Sequence, residues 1–256
     1  MRNAIRAFWW VAIVAMCFAT SAFAQTNITL TSPGGYAYDG IYVSPYYATV
    51  GGVANTPIVC DDFTDESYTN SSWSASVTPF SNSMTNTAWT NAGQSASLYG
   101  AVGWLTQQVL AAQAGSTTQI IDTYALWAVF DPSNVAHYLA AHPITTGSLT
   151  TAQLCDDIFG DTTGCTTSTA EKGGLLYTAE NSGFTPSQFG FSVLSPYISG
   201  TNTVCNAESG NCPAQEFIEV VPESGTAAMY LLLASLSCLG AILVRSRLRR
   251  PSRGTA

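Results

Sequence analysis

Gly40-Ile-Tyr-Val-Ser-Pro-Tyr-Tyr-Ala-Thr-Val50, then Gly51-Gly52, then Thr56-Pro-Ile-Val-Cys60 is the stretch that decides the fold class. β-branched and aromatic residues fill both arms, and the Gly-Gly pair supplies a tight turn, so the segment reads as two paired strands. Pro45 and Pro57 lack a backbone donor, which predicts edge strands or bulges at both positions. Downstream the period changes. Over residues 95–113, Leu98, Val102, Leu105 and Val109 recur at helical spacing, and over 118–130 so do Ile120, Tyr124, Trp127 and Ala128. Gly115 separates the two helices and Pro132 stops the second. Shorter helices are expected over 134–141, 150–159 and 170–181, the last capped by Gly183. Residues 184–198 return to strand-like sequence, and 216–221 reads as a last short strand. The sum is an α+β domain, β-rich at its ends with a central group of helices. Trp73, Trp89, Trp104 and Trp127 are its expected core anchors.

The two ends have a different character. Arg2 and Arg6 precede an apolar stretch over residues 7–18, and Ala22-Phe-Ala24 satisfies the small-x-small cleavage rule. Residues 1–24 thus read as a signal peptide with Gln25 as the first mature residue. No twin-arginine pair is present, so the general secretory route is expected. At the other end, Val221-Pro222-Glu223-Ser224 precedes an uncharged, proline-free run over 226–244. As a helix these nineteen residues would reach about 28 Å, close to the thickness of a bilayer's hydrocarbon core. Arg245, Arg247, Arg249 and Arg250 follow, a block that stops transfer and holds that end on the cytoplasmic side. The expected organisation is a signal peptide over 1–24, an exported body over 25–219 and a tail over 220–256 with one transmembrane helix.

Charge separates along the same boundaries. Seven of the eight basic residues lie in the two ends, and Lys172 is the only one between them. All sixteen acidic residues lie between Asp39 and Glu223, so residues 25–223 carry a net charge of −15 rather than the −8 of the whole chain. Such a surface repels nucleic acid and other polyanions.

The three-part tail resembles the PEP-CTERM sorting signal of bacterial exported proteins. The resemblance implies recognition of Pro222-Glu223 by an exosortase and cleavage near it. Before processing, the chain would be a single-pass protein of the inner membrane. Afterwards the body would reside at the cell surface or in the extracellular matrix, associated with exopolysaccharide. Ser224 stands where the family has a second proline. Within the body, Ile58-Val-Cys60-Asp61-Asp62-Phe63, Gly103-Trp104-Leu105 and Tyr124-Ala-Leu-Trp127 are laid out similarly to the thioester domains of bacterial surface adhesins. In those domains a cysteine thiol condenses with a glutamine side chain. The family's glutamine sits four residues before the tryptophan, and here that position is Thr123, whose hydroxyl cannot form a thioester with a thiol. Gln119 lies one helical turn earlier, displaced by about 6 Å. The resemblance therefore implies a retained scaffold without its thioester.

Outside the signal and the apolar tail there are five cysteines: Cys60, Cys155, Cys165, Cys205 and Cys212. Export makes disulfides reasonable. The close pairs Cys155–Cys165 and Cys205–Cys212 are the simplest assignment, although spacing alone permits other pairings. Cys60 is then odd, either a small buried hydrophobe, a disulfide partner or a reactive thiol. Neither a Cys-x-x-Cys pair nor a His cluster gives a metal-binding spacing, so no metal or cofactor is expected. The acidic run Asp61, Asp62, Asp65 and Glu66 is open to two functional readings, calcium binding or a carboxylate pair, but it lacks the spacing of a calcium loop and is read first as a solvated turn. His137 and His142 are the only histidines; Cys60, His137 and an aspartate can be drawn as the thiol triad of a hydrolase, but no hydrolase signature accompanies them. The reading is a non-enzymatic surface or matrix protein. The alternative is a tethered adhesive module whose tyrosines between Tyr36 and Tyr47 stack on sugar rings.

Overall fold

The first strand, β1 (Ala24–Ser32), takes up the chain at the expected mature terminus. Its Thr-Asn-Ile-Thr-Leu-Thr sequence alternates, so Ile28 and Leu30 are buried while Asn27 and Thr31 face out. The computed structural model describes residues 24–220 apart from 35, 39, 144–148 and 167. Residues 1–23 of the expected signal peptide, the expected sorting motif at 221–224, the apolar run over 226–244 and the arginines beyond it lie outside the described residues. Among the described residues no helix is long and apolar enough to cross a membrane.

A two-residue hairpin, β2 (Ala37–Tyr38) and β3 (Ile41–Tyr42), follows β1. Then come β4 (Tyr46–Val50), β5 (Val53–Cys60) and β6 (Ser72–Pro79), and, after the helices, β7 (Phe191–Pro196) and β8 (Phe217–Val220). Six of these strands close into an antiparallel barrel in the order β1-β4-β5-β8-β7-β6. Closure removes the free edges that an open sheet would expose.

The expectation of edges or bulges at the two prolines is met differently at each. Pro45 follows a cis peptide bond from Ser44 and sits just before β4. Pro57 pairs with Tyr47 inside β5, but the ladder from β5 to β8 begins only at Ile58. Its missing N–H therefore falls on a stretch flanked by one strand only. The register of β4 against β5 also shifts between Ala48 and Val50, which is the local irregularity that proline favours.

Among the described residues six α-helices accompany the barrel: α1 (Ala88–Asn91), α2 (Tyr99–Ala111), α3 (Thr117–Ala128), α4 (Pro132–Ala141), α5 (Thr151–Phe159) and α6 (Leu175–Glu180). The Ser116 hydroxyl caps α3 by accepting from Gln119 N, Asp131 caps α4 with Pro132 at its first turn, and Thr150 with Gln153 makes a capping box on α5. The helix expected over 170–181 is shorter, because Gly173 at φ +122° cannot join a right-handed helix. It closes at Asn181 rather than through Gly183. The strand expected over 184–198 begins only at Phe191; Pro186 opens a short 3-10 turn before it.

The core has two parts. Inside the barrel lie Ile28, Leu30, Ile58, Cys60, Trp73 and Phe217; between the barrel wall and the helices lie Val59, Trp89, Tyr99, Val102, Leu105 and Trp127. The last residues of β5 serve both, with Ile58 and Cys60 inward and Val59 toward the helices. A strand buried on both faces reads as a continuous apolar run, as Ile-Val-Cys does. Trp104 is half-buried and stacks on Phe184 at 6.5 Å, so only three of the four expected tryptophan anchors are buried.

Candidate functional site

At the end of β5 the chain leaves the barrel through Cys60-Asp61-Asp62 and passes beneath α3. Three polar contacts hold Cys60. Its N–H donates to Ser44 Oγ (3.1 Å), its thiol to the Asp62 carbonyl (3.0 Å), and the Trp127 indole N–H donates to its carbonyl (3.1 Å). It is fully buried and forms no disulfide. Burial, reinforced by the carboxyl groups of Asp62 and Asp61, pushes the thiol well above its usual range. A thiol so placed is protonated and is a poor nucleophile.

The residue pair that a thioester needs is not assembled. Gln119 is engaged elsewhere: its side-chain oxygen accepts from Gly115 N (2.8 Å) and its amide donates to the Val109 carbonyl (3.2 Å). Thr123 is buried and donates to the Gln119 carbonyl one turn back (2.8 Å). The histidines stand apart as well. His137 is exposed on α4, and His142 is exposed and stacks on Tyr138 at 4.2 Å.

The acidic run departs most from expectation. Asp61 and Asp62 are fully buried, while Asp65 is half-buried and Glu66 exposed. The reason is topological, since β5 is buried on both faces up to its last residue and the chain cannot surface within two positions. Asp62 organises the turn that follows, with one oxygen accepting from Thr64 N (2.9 Å), Thr64 Oγ1 (2.9 Å) and Asp65 N (3.3 Å). Asp61 instead faces Glu216, which enters from the start of β8. Among the described residues neither Asp61 side-chain oxygen has a hydrogen-bond partner.

Nothing in the sequence singles out Glu216, yet it is the hub of this cluster. It is fully buried and accepts from Ala88 N (2.6 Å), Tyr99 OH (2.5 Å) and Ser195 Oγ (2.5 Å). Burial raises it to about 7 against the pull of those three bonds. Burial and then the neighbouring Glu216 and Asp62 raise Asp61 well above the carboxylate range. Asp65 is raised to about 7, first by burial and then by Asp62, whose carboxyl group it leans on. Two of these acids are thus raised in part by a neighbouring carboxyl group, Asp61 by Glu216 and Asp65 by Asp62. The one lysine of the chain, Lys172, is not among their partners. Among the described residues no three His, Cys, Asp or Glu side chains gather as a metal cage.

Above this buried layer opens a cleft of about 500 Å³, lined by Tyr42, Phe63, Asp65, Glu66, Tyr68 and Tyr138 and floored by Trp127 and Tyr46. Of the tyrosines expected to be available for stacking, Tyr36, Tyr42 and Tyr47 are exposed, whereas Tyr46 is buried. Tyr68 is an addition that the sequence does not signal, because its segment carries no strand or helix pattern.

The cysteine pairs stand as Cys155–Cys165 and Cys205–Cys212, each with a Cα–Cα separation of 5.2 Å. The first ties the middle of α5 to the loop beyond it, and the second closes the loop that leads into β8. Compared with known proteins, the chain matches no family model, no curated protein and no solved structure.

Proposed function

We propose that this chain is an exported, non-enzymatic surface or matrix protein, sorted through its C-terminal tail and freed by an exosortase-type enzyme that cuts near Pro222-Glu223. The observation that carries the reading is the tail itself: Val221-Pro222-Glu223-Ser224, the apolar run over 226–244 and the arginines at 245, 247, 249 and 250. The body supports it in three ways. Its first and last strands, β1 and β8, start at Ala24 and end at Val220, so cuts before Gln25 and near Glu223 take only Ala24 from the barrel. Its two disulfides suit an oxidising compartment. Its acidic, lysine-poor composition suits solubility outside the cell and disfavours a nucleic-acid partner.

A non-enzymatic role is supported by the geometry around Cys60. The thiol is buried, protonated and bonded to Asp62, with no histidine among its polar partners. The exopolysaccharide of the outer surface is the expected partner of the released body. The test is processing of the Pro222→Ala and Glu223→Ala variants in producing cells. Loss of cleavage, with the body held in the membrane fraction, is expected; unchanged cleavage in both variants ends the sorting assignment.

A further inference from the structure

The cleft above Cys60–Phe63 does not end at Asp65. Thr64 and Asp65 also line a second hollow of about 290 Å³, whose other walls include Asp131, Asn134 and Glu208. The two hollows, one aromatic and one polar, thus meet at one shared pair of residues. We propose that together they form a single elongated binding site for a glycan chain free of acidic groups. This deepens the reading of a polysaccharide-associated body, but it rests on the residues of the cleft and not on the tail.

The aromatic hollow supplies what a pyranose ring needs. Tyr42 and Tyr68 are 46% and 67% exposed and approach from different segments, strand β3 and the loop after β5. The main chain at each is anchored. The Tyr46 hydroxyl donates to the Tyr42 carbonyl (2.6 Å), and Ser71 N donates to the Tyr68 carbonyl (2.9 Å). Phe63 and Tyr138, packed edge to face at 5.4 Å, line the same cleft. Trp127 has already given its indole N–H to Cys60 and offers the cleft only ring surface. Flat apolar rings match the C–H faces of sugar rings, which present their hydroxyls sideways. Around the rings stand hydroxyl acceptors, Asp65 and Glu66 in the first hollow and Asp131, Asn134 and Glu208 in the second.

Charge selects among glycans. No Lys, Arg or His lines either hollow among the described residues, whereas four carboxyl groups do. A uronic-acid or sulfated chain would meet uncompensated repulsion there. Two sources share the permitted chemistry, neutral hexose polymers and polymers of amino sugars, and the amine of the latter would pair with Asp65 or Glu66.

The test uses the full-length chain in a detergent without a sugar headgroup. Titration calorimetry is run with neutral hexose oligomers, glucosamine oligomers and uronic-acid oligomers of two to six units. Binding of one of the first two sets is expected, with affinity rising from two to six units and the uronic-acid set inert. Tyr42→Ala and Tyr68→Ala, both at exposed rings, should each weaken binding about threefold to tenfold. Asn134→Ala should weaken only the longer oligomers, because it stands in the second hollow. Neutral oligomers alone, or glucosamine oligomers alone, identify the source. Absence of binding in all sets, best binding by uronic-acid oligomers, or indifference to both tyrosine variants overturns the proposal. None of those results bears on cleavage at Pro222-Glu223, so the sorting reading stands or falls separately.

Discussion

Replacing Glu216 by Gln removes one ionisable group from the centre of the buried cluster and leaves the shape of the side chain intact. The unfolded chain ionises this glutamate near 4.5, whereas in the folded protein it does so at about 7. The folded state therefore holds a proton that the unfolded state has lost. Stability from this group is fully present below pH 4.5 and is lost as pH rises through 7. At 1.36 kcal/mol for each unit, that difference corresponds to ~3 kcal/mol. Asp61 adds to the decline with the same sign, since it too is raised by burial and by its carboxyl neighbours. In the E216Q variant the introduced amide keeps an oxygen acceptor for Ala88 N. Tyr99 can accept from its NH2 group by giving its own proton to Thr87 Oγ1 (2.9 Å). The assay is urea unfolding of wild type and E216Q at intervals from pH 4.5 to 8. The stability difference should move in the variant's favour by ~3 kcal/mol across that range. A difference that stays constant, or moves toward wild type as pH rises, refutes the buried-acid account.

Three further outcomes follow from the same geometry. Trp127→Phe strands the buried Cys60 carbonyl and opens space in the core, and should cost about 3 kcal/mol in equilibrium unfolding. The native protein should gain no mass on methylamine treatment, because Gln119 is bonded to Gly115 and Val109 and Thr123 cannot replace it; Cys60 should alkylate with iodoacetamide only after unfolding. Replacing Cys205 and Cys212 together by Ala frees a loop with a sequence separation of 7, and should lower stability by ~2–3 kcal/mol, read from the urea midpoint.

The central helices are legible in the sequence because their apolar residues recur at 3.6-residue spacing and their ends carry recognisable caps. Val102, Leu105 and Val109 on α2, and Tyr124 and Trp127 on α3, are buried as their period requires. β4 and β5 are legible from β-branched and aromatic content around Gly51-Gly52. β1 and β6 are not, since Ser, Thr and Asn are interspersed through both strands and leave few apolar residues, Ile28, Leu30, Trp73, Ala75 and Val77, against the barrel core. Closure of the barrel depends on β1 pairing with β6 and β7 with β8, which no local pattern reports. The buried acids escape a sequence reading for a related reason. Asp61 and Asp62 look like a solvated turn by type, and only the Ile58-Val59-Cys60 run before them hints that the strand ends deep inside. Glu216, which Asp61 faces, lies more than 150 residues away, so their meeting is a property of topology. The disulfide pairs are the simplest reading of cysteine spacing, and the structure has the same pairs.

The central claim is that a folded body is delivered outside the inner membrane and separated from its tail. It is tested most directly by fractionating producing cells and determining both termini of the mature protein by mass spectrometry. A body that begins at Gln25, ends near Glu223 and lies outside the inner membrane is the expected result. A membrane-bound protein that still carries residues 226–244 contradicts it.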